Sequence, residues 1–247
     1  MTANSEKKLS GKIALVTGAA KRLGKAVAMR FAQEGASVII HYLGSEAEAR
    51  ATVAEIQKLG VQAAAFSADL VSITEIKQLF ERVQREFGAL DILVNSAANF
   101  FPGALESTTE ESWNASLNTN LRAPFFCSQA AAPLLRARKG TIVNFADTGG
   151  MLGWPGYAAH SISKAGVIML TKMLAKSLAP DVRVNAIAPG TISMPGDPPE
   201  WESDFIRIAP LQRTGRPSDI ADAVVYLVTA EFLTGHTLVL DGGRTLA

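Results

Sequence analysis

Seven short runs rich in β-branched or other apolar residues recur along the chain, separated by stretches whose apolar residues repeat at helical spacing. This alternation constrains the fold more than any other feature. Residues 12–18 (KIALVTG) read as a buried strand ending in a glycine turn, and 25–35 as the helix behind it. Further strands are expected at 37–42, 62–70, 90–97, 140–147, 181–190 and 237–243. Between them the periodicity predicts helices over 46–60, 73–88 with Gly88 as its stop, 109–137, 160–180 and 218–229. Only 194–213 breaks the rhythm. Three prolines and a glycine fall within six residues there, so regular structure is expected only in its second half. Strands apolar throughout and joined by helical crossovers imply a parallel sheet covered on both faces. The predicted fold class is α/β, a doubly wound parallel seven-stranded sheet with helices on both faces, its ligands lying beyond the carboxyl ends of the strands.

No Pro/Ser-rich linker divides the 247 residues, so 1–247 is read as a single domain, with 191–212 as a substrate lid. Trp154 and Trp201 flank the expected cleft, Trp201 as a lid residue or an anchor for that segment. A formal net charge of +1 gives no reason to expect nucleic acid or a membrane surface as partner. Cys127 is the only cysteine and sits in an apolar helical run, which excludes an internal disulfide and suits plain packing. The opening residues lack the apolar run of a signal peptide, and a cytoplasmic location is expected. His236 has no second ligand at metal spacing, so no metal is expected.

After the first strand come Gly18, Lys21, Arg22, Leu23 and Gly24. Gly18 permits a tight turn, Gly24 lets the next helix pack closely, and that helix offers free N–H groups to a phosphate. The second strand ends without an Asp or Glu to bind a ribose diol; instead His41 and Ser45 face Lys21 and Arg22. A cationic fork beside hydroxyl and imidazole donors suits a 2′-phosphate, and NADP(H) is the expected cofactor. The plainer alternatives are that Lys21 and Arg22 solvate a loop and that His41 is an ordinary strand-end residue.

Together with downstream motifs, these residues resemble the short-chain dehydrogenase/reductase family, a Rossmann-fold family, over roughly 9–245. The run TGAAKRLG resembles its glycine motif, with Arg22 for the middle glycine as in pteridine reductases. The resemblance implies adenine contact by Asp69 and Leu70, a cofactor floor at Asn95 and Ala97, and a nicotinamide turn at Pro189, Gly190 and Ile192. It implies a structural and proton-relay role for Asn120 and a homotetramer built on two long helices and the last strand. Within the family, HYLGSEAEA and NSAANFFPGAL resemble pteridine reductases most, and Phe100 matches an aromatic implied to stack on a pterin ring. Phe100 and Phe101 are equally readable as loop anchors, and Gly44 departs from the basic residue usual there. The resemblance implies NADPH-dependent reduction of a pterin-like C=N or C=O group; a 3-oxoacyl thioester is the alternative substrate.

The family usually protonates its product with a Tyr one helical turn before a Lys. Here Lys164 is preceded by His160, and Asp147 stands where most members carry Ser. Three sources for the proton stay open: His160 itself, with Asp147 stabilising its charged form; Tyr157, one turn earlier, otherwise a substrate wall; or a water held by Asp147, with His160 orienting the substrate. Asp147 could also cap a loop. A nucleotide-binding sensor without catalysis is the fourth possibility, but a lysine and a carboxylate beside the nicotinamide would be costly to bury without use.

Overall fold

The computed structural model describes residues 7–197 and 199–247, and the side chains of all of these except 199–201. Its seven parallel strands are β1 (Ile13–Val16), β2 (Ser37–Tyr42), β3 (Ala63–Ser67), β4 (Ile92–Asn95), β5 (Thr141–Phe145), β6 (Arg183–Pro189) and β7 (Thr237–Leu240). They lie in the order β3-β2-β1-β4-β5-β6-β7. Ala14 pairs with Val38 on one side and Ile92 on the other, so the direction of strand addition reverses at β1. That reversal splays the crossovers apart and leaves a crevice beyond the carboxyl ends. β1 and β4 to β6 are buried almost without interruption because both faces are covered, whereas β7 is half-buried at the sheet edge.

Helices α1 (Arg22–Gln33), α2 (Glu46–Gln57) and α9 (Pro217–Thr229) cover one face, where Val27 and Phe31 meet Ile220 and Val224. Helices α3 (Ile73–Phe87), α5 (Ala123–Arg138) and α7 (Ala158–Leu178) cover the other through Leu79, Phe80, Leu135 and Leu174. Gly88 ends α3 in the left-handed region at φ 74°, the stop expected of it. Cys127 is buried here, and the apolar surroundings push its thiol up to about 12.

The single helix expected over 109–137 is α4 (Glu110–Leu117) running into α5 through a π turn at Asn118–Arg122. The widened turn adds a residue to the helical repeat, which no local pattern announces, and it is the place of Asn120. A one-turn helix, α6 (Gly149–Leu152), is too short for periodicity to reveal. The proline-rich stretch folds as expected, irregular through 197 and then helical as α8 (Pro199–Ile208). Among the described residues no helix is long and apolar enough to cross a membrane, and no cluster of His, Cys, Asp or Glu could hold a metal ion.

Close packing at the glycine turn fixes α1 against β1. A Cβ on Gly24 would lie 2.5 Å from the Gly18 carbonyl oxygen and 2.9 Å from Ala19 Cα, both backbone atoms. Gly24→Ala is expected to destabilise the protein by about 1–3 kcal/mol through forced separation of turn and helix. Denaturant unfolding against the wild type measures it, and an unchanged midpoint would refute the close approach.

Candidate active site

The carboxyl ends of β1, β4, β5 and β6 open on a cleft of about 720 Å³. Its walls are the glycine turn with Gly18, Leu23 and Gly24, the segments 41–45, 68–71, 96–100 and 145–147, Trp154, His160 and Lys164 of the α7 side, and 189–194 with Asp197. Pro189, Gly190 and Ile192 thus face Leu70 and Ala97 across one space.

Thr17 begins the floor. Its hydroxyl oxygen accepts the Ser96 and Ala97 N–H groups at 2.9 and 3.0 Å, drawing the ends of β1 and β4 together. Gly18, at φ 63°, approaches Ala97 so closely that a Cβ would lie 2.8 Å from its Cα. Asn95 does not reach the cleft: its amide donates to Asn144 Oδ1 at 2.9 Å and Ser128 Oγ at 3.2 Å, tying β4 to β5 and α5. The expected floor contact there belongs to the backbone beyond it.

Two expected phosphate ligands are otherwise engaged. His41 Nδ1 accepts the Gly18 N–H at 3.2 Å, which leaves the ring hydrogen on Nε2, 2.9 Å from the Ala68 carbonyl. With both nitrogens used, His41 rivets the turn to β2 and β3 and has no donor to offer; burial pushes its pKa down, against the Ala68 contact and the Asp69 charge. Arg22 sends Nη1 and Nη2 to the two carboxylate oxygens of Asp197, at 2.8 and 3.2 Å, instead of into the nucleotide end. Lys21 and Ser45 remain. Among the described residues the Lys21 side chain makes no ion pair, and Ser45 precedes α2 with its hydroxyl uncommitted to capping. An ammonium, a hydroxyl and a helix N-terminus on one cleft, with no carboxylate at the end of β2, suit a ribose 2′-phosphate. Asp69 bends the next loop by accepting the Val71 N–H at 2.9 Å.

At the other end of the cleft, β5 delivers Asp147 and α7 delivers His160 and Lys164. His160 Nε2 lies 2.5 Å from Asp147 Oδ2. On the far side of the ring, Nδ1 is 3.3 Å from the Asn99 carbonyl oxygen and 3.4 Å from the Asn120 amide nitrogen. The Asn99 carbonyl suits a proton on Nδ1, since the two Asn120 amide hydrogens go at 3.1 Å to the Asn99 carbonyl and to Ser163 Oγ. Asn120, thrown inward by the π turn, also holds Asn99 from both sides, accepting its N–H at 2.9 Å and donating to its carbonyl at 3.1 Å. Asp147 is the more open of the pair, at 18% side-chain exposure against 3% for His160. Burial opposes its ionisation, but the His160 hydrogen bond, the Lys164 and His160 charges and the Gly150 N–H together hold it below the usual carboxylate range. Lys164 donates to the Phe145 carbonyl at 2.7 Å; burial pushes its pKa down while Asp147 opposes the fall.

Aromatic rings enclose this end. Phe100 meets His160 edge-on at 4.7 Å and stacks on Tyr157 at 4.4 Å and 15°. Tyr157 therefore backs Phe100 and does not itself line the cleft. Trp154, parallel to His160 at 6.4 Å, lines the cleft, as Phe100 does. The side chain of Trp201, expected at the substrate, lies outside the described residues. Sequence reading missed Asp197, Ser193 and Glu202, all on the wall, because nothing near them in the chain marks them as partners of the glycine turn.

A family model described as enoyl-(acyl carrier protein) reductase matches residues 18–245. The 3-oxoacyl-(acyl-carrier-protein) reductase FabG of Staphylococcus aureus (strain Mu50) is 38% identical over 239 residues, covering 94% of this chain and 97% of its own. The chain belongs to the short-chain dehydrogenase/reductase family of oxidoreductases. The corresponding reductase of Thermotoga maritima is 36% identical and covers 97% of this chain and 100% of its own. Among solved structures of similar proteins, a short-chain type dehydrogenase/reductase from Mycobacterium marinum superposes with a TM-score of 0.92 at 30% identity, covering 98% of each chain. A blue fluorescent protein from a metagenomic library, solved in complex with NADPH, gives 0.91 at 31% identity, covering 96% of this chain and 99% of its own. These reductase relatives are named for 3-oxoacyl substrates, not pterins, which matches the alternative substrate class.

Because the folded Asp147 binds its proton less tightly than an unfolded one, its contribution to stability is present above the ordinary carboxylate pKa and is lost as pH falls through the lower folded value. Asp147→Asn should cost about 1–3 kcal/mol at neutral pH by replacing a charged acceptor of the His160 N–H with a neutral one. The gap should shrink as pH falls below the carboxylate range. Unfolding curves at several pH values test this, and a gap that widens on acidification would contradict it.

Proposed function

We propose that the protein is an NADPH-dependent reductase acting on a C=N or C=O bond of a flat, pterin-like substrate, with the proton drawn from the Asp147–His160 pair. The observation that carries this reading is the 2.5 Å contact between those two groups, in the same cleft that holds Lys21 and Ser45 at its other end. The NADPH complex of a similar structure supports the cofactor, as does the lack of a diol-binding carboxylate after β2.

When bound, the nicotinamide supplies hydride to the substrate carbon. The chain's own part is to hold the substrate against the Phe100 and Trp154 rings, keep water out and provide a proton. Asp147, ionised and the more open of the pair, meets the heteroatom; His160 stands behind it with Nε2–H donating to Oδ2. Nε2 passes its proton to the Asp147 carboxylate as the carboxyl so formed gives a proton to the heteroatom, and the ring keeps Nδ1–H on the Asn99 carbonyl. Imidazolium thereby becomes neutral imidazole, and one proton balances one hydride. Lys164, fixed on Phe145 O, supplies positive charge beneath.

The charge on Asp147 favours C=N. Hydride addition to a carbonyl builds an oxyanion against a carboxylate, whereas a basic C=N nitrogen takes the pair's proton before the hydride arrives and meets the carboxylate as a cation. The carbonyl reading stands second, on the names of the 3-oxoacyl reductase relatives.

NADPH oxidation with a dihydropterin, a cyclic imine and an acetoacetyl thioester, measured from mildly acidic to mildly alkaline pH, tests the proposal. We expect turnover of the C=N substrates that rises as pH falls, with no loss at the usual carboxylate range because Asp147 stays ionised there. Asp147→Asn should lower it about 100-fold. Turnover of the thioester alone would shift the substrate class, and tight NADPH binding with no turnover of any would leave a nucleotide sensor.

At the nucleotide end, Lys21→Glu should weaken NADPH binding about tenfold or more and leave NADH binding nearly unchanged. Fluorescence titration reads both. Equal losses for the two cofactors would mean that Lys21 does not meet a 2′-phosphate.

A further inference from the structure

We propose that Arg22 and Asp197 form a clasp that straps residues 191–197 across the nucleotide cleft, making Asp197 a positioning residue for cofactor retention. This rests on the nucleotide reading of the cleft above.

Arg22 occupies the left-handed region at φ 54°, at the position where the related glycine motif has its middle glycine. A side chain there costs about 1–2 kcal/mol relative to glycine, so something specific to arginine offsets the strain. Its two terminal nitrogens meet both oxygens of Asp197, 175 residues away. Asp197 is itself only 11% exposed, and its Oδ2 also accepts the Met194 N–H at 3.2 Å, so the 194–197 turn is built around this carboxylate.

The base of the strap is fastened on its own side of the cleft. Ser193 Oγ donates to Glu202 Oε1 at 2.7 Å and pairs with Thr214 Oγ1 at 2.7 Å, and the Ser193 N–H reaches the Gly215 carbonyl at 3.1 Å. The tip has the Arg22–Asp197 pair as its ionic tie to the opposite wall. Both residues line the cleft, which keeps about 720 Å³ with the pair formed. The pair therefore encloses the space instead of filling it. A nucleotide enters when the clasp opens and is held when it shuts, and Arg22 acts on retention through Asp197 instead of through a phosphate.

Arg22→Gly and Asp197→Ala test this, the first relieving backbone strain so that the fold is kept. NADPH dissociation is followed by stopped-flow fluorescence after displacement with excess NADP+, and hydrogen–deuterium exchange of 191–197 is measured without nucleotide. Each variant should release NADPH about tenfold faster and exchange faster over 191–197, with the double variant no worse than either single one. Raised salt should speed release from the wild type more than from the variants, which keep only the phosphate contacts for salt to screen. If Arg22 instead held a phosphate directly, Asp197→Ala would free the guanidinium and slow release while Arg22→Gly sped it, and that opposition would overturn the clasp. Unchanged release and exchange in both variants would overturn it too. A wild type that binds no NADPH would sink the nucleotide reading, while the exchange of 191–197 would still decide whether the pair ties the strap.

Discussion

Parallel strands cannot be joined by short turns, so each crossover carries the chain back across a face of the sheet and delivers every carboxyl end to the same edge. All chemistry in this protein depends on that constraint. Where the strand order reverses between β1 and β4, no crossover fills the space, and the chain closes it from below with a few tight backbone contacts. The Thr17 hydroxyl gathers two N–H groups from the end of β4, and Gly18 rests on Ala97. The cleft is as firm as it is because its floor is backbone on backbone.

The exchange of an expected tyrosine for His160 is intelligible in terms of valence. A phenol has one donor and needs little from its surroundings, whereas a buried imidazole has two nitrogens that both require partners. Asp147 satisfies one, and the Asn99–Asn120 pair satisfies the other. The π turn between α4 and α5 makes that second contact possible by swinging Asn120 toward α7. Neither ring nitrogen then remains for a substrate, and the more open member of the pair is Asp147 at the end of β5.

The fold was almost fully legible because it is written in local periodicity: seven apolar runs, helical spacing between them, and glycines such as Gly88 at stops. What periodicity could not show were departures from it, the π turn and the one-turn helix α6. In the site, motif residues were brought together on one cleft, since their spacing follows from strand ends and one helix. The errors fell on partnerships. His41 and Arg22 carry the right groups for a phosphate, but each is taken by a partner far along the chain, Ala68 with Gly18 in one case and Asp197 in the other. Tyr157 is near His160 in sequence yet turned behind Phe100, a matter of ring packing that spacing does not encode.

The rivet at His41 has a cost that bears on where the enzyme can work. Burial holds the ring below its ordinary value of 6.5, so the folded chain takes up its proton less readily than the unfolded one. Stability therefore declines as pH falls through that value, and a proton on Nδ1 would meet the Gly18 N–H head-on. Acid thus acts against the glycine turn through a base that stands apart from the Asp147–His160 pair, at the other end of the same cleft.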